Sequence, residues 1–268
     1  MRLAILQDES SVLDLEANLG IISRAAAQAV ASGADLLLTP ELFVTGYAPK
    51  RIREQFAASA LPELRARLAA ISQEHRIGML YSLPDHEQGN WYISATLIDA
   101  GGARVGHYRK VHLFGAEEKS AFSPADDAAT VVDYGGIKVG MIICFDVEFP
   151  ESVRAAANRG AQLLLVPTAL SAGFDGIPTA MIPTRAMENQ LYVAYANHSG
   201  VEGGVHLGGG SVVADPEGGV IARAGSGPEL IFADIDPALI TRARAGVNYA
   251  RERRDAVYRS WGSGSVQN

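Results

Sequence analysis

The 268-residue chain is expected to fold as an α/β protein, and three features of the sequence carry that expectation. Two short apolar runs, residues 34–39 and 161–166, each stop at a proline (Pro40 and Pro167), as strands covered on both faces do. Ahead of each run lies a helix-like segment closed by a glycine, Gly33 or Gly160. The two exits are near copies: Gly33-Ala34-Asp35-Leu36-Leu37-Leu38-Thr39-Pro40 returns as Gly160-Ala161-Gln162-Leu163-Leu164-Leu165-Val166-Pro167. Two related half-layouts suit sheets packed face to face with helices outside.

Taken in order, residues 1–7 read as a buried strand, and Leu15, Leu19, Ile22, Ala26 and Ala29 then recur at helical spacing. After the strand at 34–39, Leu64, Leu68 and Ile71 mark a helix over 62–75. Strand-like runs follow at 77–83, 91–98 and 104–111. Residues 130–133 and 137–144 predict two strands joined around Gly135-Gly136, the second delivering Cys144. A helix with proline in its first turn covers 150–159, and another covers 181–190. Strands are expected at 191–196, 210–213, 220–222 and 230–234, with Asp215-Pro216-Glu217-Gly218-Gly219 as a turn. No low-complexity linker divides the chain, so residues 1–235 read as one domain and 236–268 as an arginine-rich C-terminal extension.

Composition narrows the function. With 30 acidic against 23 basic residues the formal charge is −7, so the average surface repels a phosphate backbone and nucleic acid is not expected as a partner. No apolar run approaches the roughly 18 residues that span a bilayer, and the first residues are too short for a signal-peptide core. A cytoplasmic protein without membrane attachment is expected. The single cysteine, Cys144, excludes an intrachain disulfide and a cysteine-rich zinc cage. His107, His112, His198 and His206 form no ligand motif, so structural roles are expected for them and no metal. Gly208-Gly209-Gly210 lacks the strand-to-helix setting of a dinucleotide loop and fits a tight approach or bend.

Four residues could carry chemistry. Cys144 stands where a strand gives way to a helix, where backbone N–H groups and a helix dipole favour a thiolate; its plain alternative is a small buried hydrophobe. Glu41 lies beside apolar Leu42, Phe43 and Val44, surroundings that raise a carboxyl pKa toward that of a base working near neutrality, or that house a structural ion pair. Lys110 at a strand end is by itself an ordinary edge charge, but Glu118 eight residues on could hold its ammonium. Tyr47, Phe145, Ala169, Leu170 and Asn197 come from loops that follow strands, where α/β sheets expose ligands; each could equally be packing around a site.

Pro40-Glu41, Arg109-Lys110, Glu118 and Cys144-Phe145-Asp146 with Phe149-Pro150-Glu151 stand in the order and spacing of the nitrilase superfamily of carbon–nitrogen hydrolases, which the chain resembles over nearly its whole length. Ala4-Ile5-Leu6-Gln7, Gly33-Ala34-Asp35 and the stretch from Gly210 to Gly218 belong to the same resemblance. It implies an αββα four-layer sandwich of two mixed sheets, and a Glu-Lys-Cys triad of Glu41, Lys110 and Cys144 supported by Glu118. It further implies hydrolysis of small carboxamides to carboxylic acid and ammonia through a thioester. The backbone N–H of Phe145 and Lys110 would face the oxyanion, and no cofactor is needed. The chain looks most like the aliphatic and stereoselective amidases. A nitrile or N-carbamoyl hydrolase would use the same triad, and a catalytically silent binding protein would keep only the fold. The family also implies a homodimer or higher homo-oligomer, with the C-terminal extension, including Arg251-Glu252-Arg253-Arg254-Asp255, at its interface.

Overall fold

The computed structural model describes residues 1–261. In chain order its strands are β1 (Arg2–Gln7), β2 (Leu36–Leu38), β3 (Gly78–Glu87), β4 (Asn90–Ile98), β5 (Arg104–Arg109), β6 (Thr130–Tyr134), β7 (Ile137–Met141), β8 (Leu163–Pro167), β9 (Tyr192–Ala196), β10 (Ser199–Glu202), β11 (Val205–Gly208), β12 (Val212–Ala214), β13 (Val220–Arg223) and β14 (Glu229–Asp234). The α-helices are α1 (Leu15–Ala31), α2 (Pro49–Gln55), α3 (Leu61–His75), α4 (Gly115–Ala121), α5 (Pro150–Asn158), α6 (Ile182–Asn189), α7 (Pro237–Gly246), α8 (Tyr249–Glu252) and α9 (Asp255–Trp261).

Two six-stranded sheets result, ordered β14-β1-β2-β3-β4-β5 and β13-β12-β9-β8-β7-β6, with β10 and β11 forming a separate ribbon. In each sheet three central strands run parallel and the outer ones antiparallel. The internal sequence echo has a structural counterpart, because β2 and β8 hold the same central place in their sheets. Leu36, Leu37 and Leu38, like Leu163, Leu164 and Leu165, are wholly buried, which is why neither run alternates with polar residues. Helices α1 and α3 cover the first sheet, while α5 and α6 lie together on the second, α6 packing on β9 and β12. The inner faces meet closely: a Cβ on Gly106 of β5 would lie 2.7 Å from Met141 Cε and 3.2 Å from Val132 Cγ1. This is the αββα sandwich expected.

Departures from the expected elements are local. Strand β7 ends at Met141, so Cys144 rides on the 3-10 turn Cys144–Glu148 rather than on the strand. Helices α2 and α4 span only seven residues each, too few for an apolar period to stand out. The β10–β11 hairpin turns at Gly203-Gly204, both at positive φ, a pairing that favours a two-residue hairpin. The extension begins with α7, which buries Ile240, and the Gln190 side chain donates to Ala243 O and Val247 O at 2.9 and 2.7 Å. Residues 262–268 of the extension lie outside the described residues. Among the described residues no helix is long and apolar enough to cross a membrane.

Gly209 is the tight approach expected of the glycine run. It sits at φ +62°, and a Cβ there would come within 2.7 Å of Gly225 O and 2.8 Å of Ser226 Cα, both backbone. Gly209→Ala is expected to cost about 2 kcal/mol or more, since neither the conformation nor the neighbours can yield cheaply. A urea midpoint equal to that of the parent protein would contradict this.

Candidate active site

Four loop or turn segments converge near the ends of β2, β5, β7 and β8. Glu41 lies three residues past β2, and its backbone N–H donates to Thr168 O at 3.3 Å, just past β8. The ends of the two echoed strands are thereby tied together. Lys110 directly follows β5, pinned through its N–H to Ile93 O (2.8 Å) and through its carbonyl to Ala125 N (3.0 Å). Glu118 comes from α4, and Cys144 from the turn after β7.

The charged groups meet out of water. Lys110 Nζ donates to Glu41 Oε1 at 2.7 Å and to Glu118 Oε1 and Oε2 at 2.8 and 2.9 Å. Lys110, Glu41 and Glu118 are all fully buried. Glu118 also accepts from Tyr47 Oη (2.6 Å) and Phe114 N (2.8 Å), so donors surround its carboxylate. The buried Cys144 thiol adjoins the same cluster, close enough for its charge and those of Glu41, Lys110 and Glu118 to act on one another. The second carboxyl oxygen of Glu41, Oε2, is buried without a hydrogen-bond partner.

One ammonium between two carboxylates explains the electrostatics. Burial pushes Glu41 up to about 7, Lys110 pulling it back and Glu118 adding to the rise. Burial works against the Lys110 ammonium, but Glu41, Cys144 and Glu118 more than offset it and hold it well above the ordinary lysine value. Burial and then the Glu41 charge push the Cys144 thiol up. The backbone N–H groups and helix end expected to favour a thiolate are thus opposed by burial and by the Glu41 charge. Sealing the sulfur among carboxylates outweighs the backbone and helix-end field, so the resting group is a thiol that needs a base.

Two backbone positions are strained. Cys144 has φ +47° and Leu42, next to Glu41, has φ +54°, a region that costs residues with a Cβ about 1–3 kcal/mol. Asp146 holds the first: its Oδ2 accepts from Ile143 N (3.1 Å) and Tyr108 Oη (2.9 Å), and its Oδ1 from His112 N (2.8 Å) and, also at 2.8 Å, the ring His112 Nδ1. His112 stacks on Phe149, and Phe145 packs edge-on against Phe114 and Phe149, with centroids 5.3 and 5.0 Å away.

The other expected pocket residues divide. Tyr47 joins the cluster through Glu118. Ala169 is buried and Leu170 half-buried on the segment that follows Thr168. Asn197 is buried with its amide wholly spent: Oδ1 accepts from Leu170 N (2.7 Å) and His198 N (2.9 Å), and Nδ2 donates to Leu170 O (3.1 Å) and Gly209 O (2.8 Å). Its amide thereby fixes the backbone of Leu170, His198 and Gly209. Asp146, Tyr108, Thr168 and the His198–Glu202 pair are participants the sequence reading did not single out as site residues. His107 contacts Thr96 and Asp85, and His112 contacts Asp146. Among the described residues no group of three or more His, Cys, Asp or Glu side chains is arranged to hold a metal.

Comparison with known proteins shows the family. The family model described as carbon-nitrogen hydrolase matches residues 2–245. A protein of Pseudomonas protegens named as a hydrolase in the pqqF 5′ region is 40% identical, covering 96% of this chain and 90% of its own. An (R)-stereoselective amidase of a Pseudomonas species is 32% identical over 84% of this chain and 81% of its own. The solved structure of a cysteine-to-alanine variant of the amidase from Nesterenkonia sp. AN1, in complex with butyramide, superposes with a TM-score of 0.91 at 42% identity, covering 97% of each chain. The chain therefore belongs to the carbon-nitrogen hydrolase family, and its structural neighbours are amidases of the nitrilase superfamily.

Proposed function

We propose that the protein hydrolyses the C–N bond of small carboxamides, giving a carboxylic acid and ammonia, with Cys144 as nucleophile, Glu41 as general base and acid, and Lys110 as electrostatic support. The observation that carries this reading is the buried ammonium of Lys110 held between Glu41 and Glu118, with the Cys144 thiol close enough to feel the same charges. The butyramide held by the Nesterenkonia amidase variant supports a short aliphatic amide as the substrate class.

Chemistry follows from the charges. Ionised Glu41 takes the proton of the Cys144 thiol as sulfur bonds to the amide carbon, and negative charge moves to the carbonyl oxygen. The Lys110 ammonium and the Phe145 backbone N–H stabilise that oxyanion, a fixed-donor effect of about 3–4 kcal/mol for each well-placed donor. The C–N bond then breaks as protonated Glu41 gives its proton to the leaving nitrogen, and a thioester remains on Cys144. Glu41, ionised again, takes a proton from water, the hydroxide adds to the thioester, and the thiol leaves with its proton restored. Glu118 fixes the Lys110 head through both carboxyl oxygens.

A base poised at about 7 sets the pH dependence. Because only ionised Glu41 accepts the thiol proton, kcat/KM for ammonia release from short aliphatic amides is expected to rise with pH and level off above an apparent pKa of about 7. Rates measured across a panel of amides, nitriles and N-carbamoyl amino acids test both parts. Turnover confined to nitriles or carbamoyl compounds would move the substrate class, and a rate flat from about pH 5 to 8 would remove Glu41 from the base role.

A further inference from the structure

Behind Glu41 lies a second buried ion pair that the reaction steps do not use. His198, between β9 and β10, and Glu202, at the end of β10, are both shielded from solvent, and His198 Nδ1 lies 2.6 Å from Glu202 Oε1. The other ring nitrogen, Nε2, lies 2.6 Å from the backbone carbonyl of Glu41. A carbonyl oxygen only accepts, so Nε2 carries a proton. Glu202 is met by donors on both oxygens: Ser10 N on Oε1 (2.9 Å), and Ser10 Oγ (2.6 Å) and Tyr47 N (2.7 Å) on Oε2. A carboxyl so surrounded is ionised, and Nδ1 then donates too, making the ring an imidazolium. Phe43 stacks on its face at 5.3 Å.

Each contact ends on the catalytic cluster. The His198 bond takes the carbonyl of Glu41 while Thr168 O takes its N–H, so the peptide groups flanking this residue are held on both sides just before strained Leu42. The Glu202 bond takes the N–H of Tyr47, whose hydroxyl reaches Glu118 Oε1. We propose that His198 and Glu202 form a positioning unit, which aims the Glu41 carboxyl at Cys144 and keeps Tyr47 on Glu118. This rests on the reading of Glu41 as the base.

The electrostatics agree with the geometry. Burial opposes charge on both groups, yet Glu202 holds the His198 ring above its ordinary value and His198 holds Glu202 below its own. The charged and titratable groups facing His198 are Glu202 and Glu41, and those facing Glu41 are Lys110, Glu118 and Cys144.

Glu202→Gln tests the unit at nearly constant shape. Whichever way the amide turns, its NH₂ faces donors: Ser10 N and the ring on one side, Ser10 Oγ and Tyr47 N on the other. With the base displaced, kcat is expected to fall about tenfold to a hundredfold with KM changed by less than about twofold. The acid limb near pH 7 in the rate of Cys144 alkylation by iodoacetamide is expected to weaken or move. A lowered melting temperature with kcat per folded molecule and the alkylation limb both unchanged would overturn the proposal. The parent protein supplies a second test that needs no variant: nitrogen-15 spectra should show both His198 ring nitrogens protonated at neutral pH, and a neutral ring would overturn it as well. The alkylation profile and ring state need no amide substrate, so a protein that hydrolyses no amide would sink the hydrolase reading while these two results still decide this one.

Discussion

Cys144→Ala is expected to abolish amide hydrolysis, by at least about 10⁵-fold in kcat, because no other group can form the acyl bond. Cys144 is the only cysteine in the chain, so no second thiol can take over. The fold should survive. The position keeps its Cβ, the φ of +47° is unchanged in demand, and Asp146 still anchors the turn through Ile143 N and Tyr108 Oη. Removing one buried sulfur costs about 1 kcal/mol, the scale of a buried methylene-sized group. The Lys110 bonds to Glu41 and Glu118 remain, so the emptied site should still bind an amide. Steady-state assays with calorimetric binding check this: binding without turnover is the expected pair of results, and residual turnover near the parent rate would end the nucleophile assignment.

Lys110→Met should be nearly as damaging to activity and far more damaging to stability. Methionine fills a similar volume without charge, and two buried carboxylates lose their one counter-ion. Breaking a buried pair in this way costs about 3–5 kcal/mol, less whatever the acids recover by taking up protons. Activity is expected to fall by about 10³-fold or more, since an oxyanion donor is lost and Glu41 is driven further above neutrality, where it cannot act as a base at pH 7. The sign of the pH effect is fixed. Carboxyls whose folded pKa is raised favour the folded state while protonated and lose that advantage as pH rises from the unfolded value toward the folded one. The variant's stability deficit against the parent should therefore be smaller at about pH 5 than at about pH 8. Melting curves at the two pH values check it, and an equal deficit at both would show that the ammonium carries no such load.

Much of the fold was legible because its strands and helices are long or wholly buried. The runs at Leu36–Leu38 and Leu163–Pro167 could be read as covered strands, and their repeated exits pointed to two related halves that the sheet orders display. What escaped had a physical reason. Helix α4 carries Glu118, yet its seven residues give no apolar stripe, and α2 has the same shortness. The hairpin of β10 and β11 did carry a signal, Gly203-Gly204 between short alternating runs, which was not read.

The candidate site divides in the same way. Glu41, Lys110, Glu118 and Cys144 stand out from their residue types and from the resemblance; the first three meet at hydrogen-bonding distances, and the buried thiol adjoins them. At Cys144 opposing influences meet: a strand-to-helix elbow favours the thiolate, while burial and the two nearby acids act the other way. Asp146 and Glu202 were invisible for another reason. A buried carboxylate is recognised by the donors around it, and Tyr108, His112, Ser10 and Tyr47 arrive from distant parts of the chain. Asn197, in a loop that follows a strand, could by sequence meet a ligand or serve as packing, and the structure shows its amide bonded to backbone groups.

The most direct test of the central assignment is a titration of activity against modification of the one thiol. Protein treated with limiting iodoacetamide, then analysed by peptide mass and assayed for ammonia release from a short aliphatic amide, should lose hydrolysis in strict proportion to the fraction alkylated at Cys144, reaching zero at full occupancy. Hydrolysis that persists after Cys144 is completely alkylated would contradict the account.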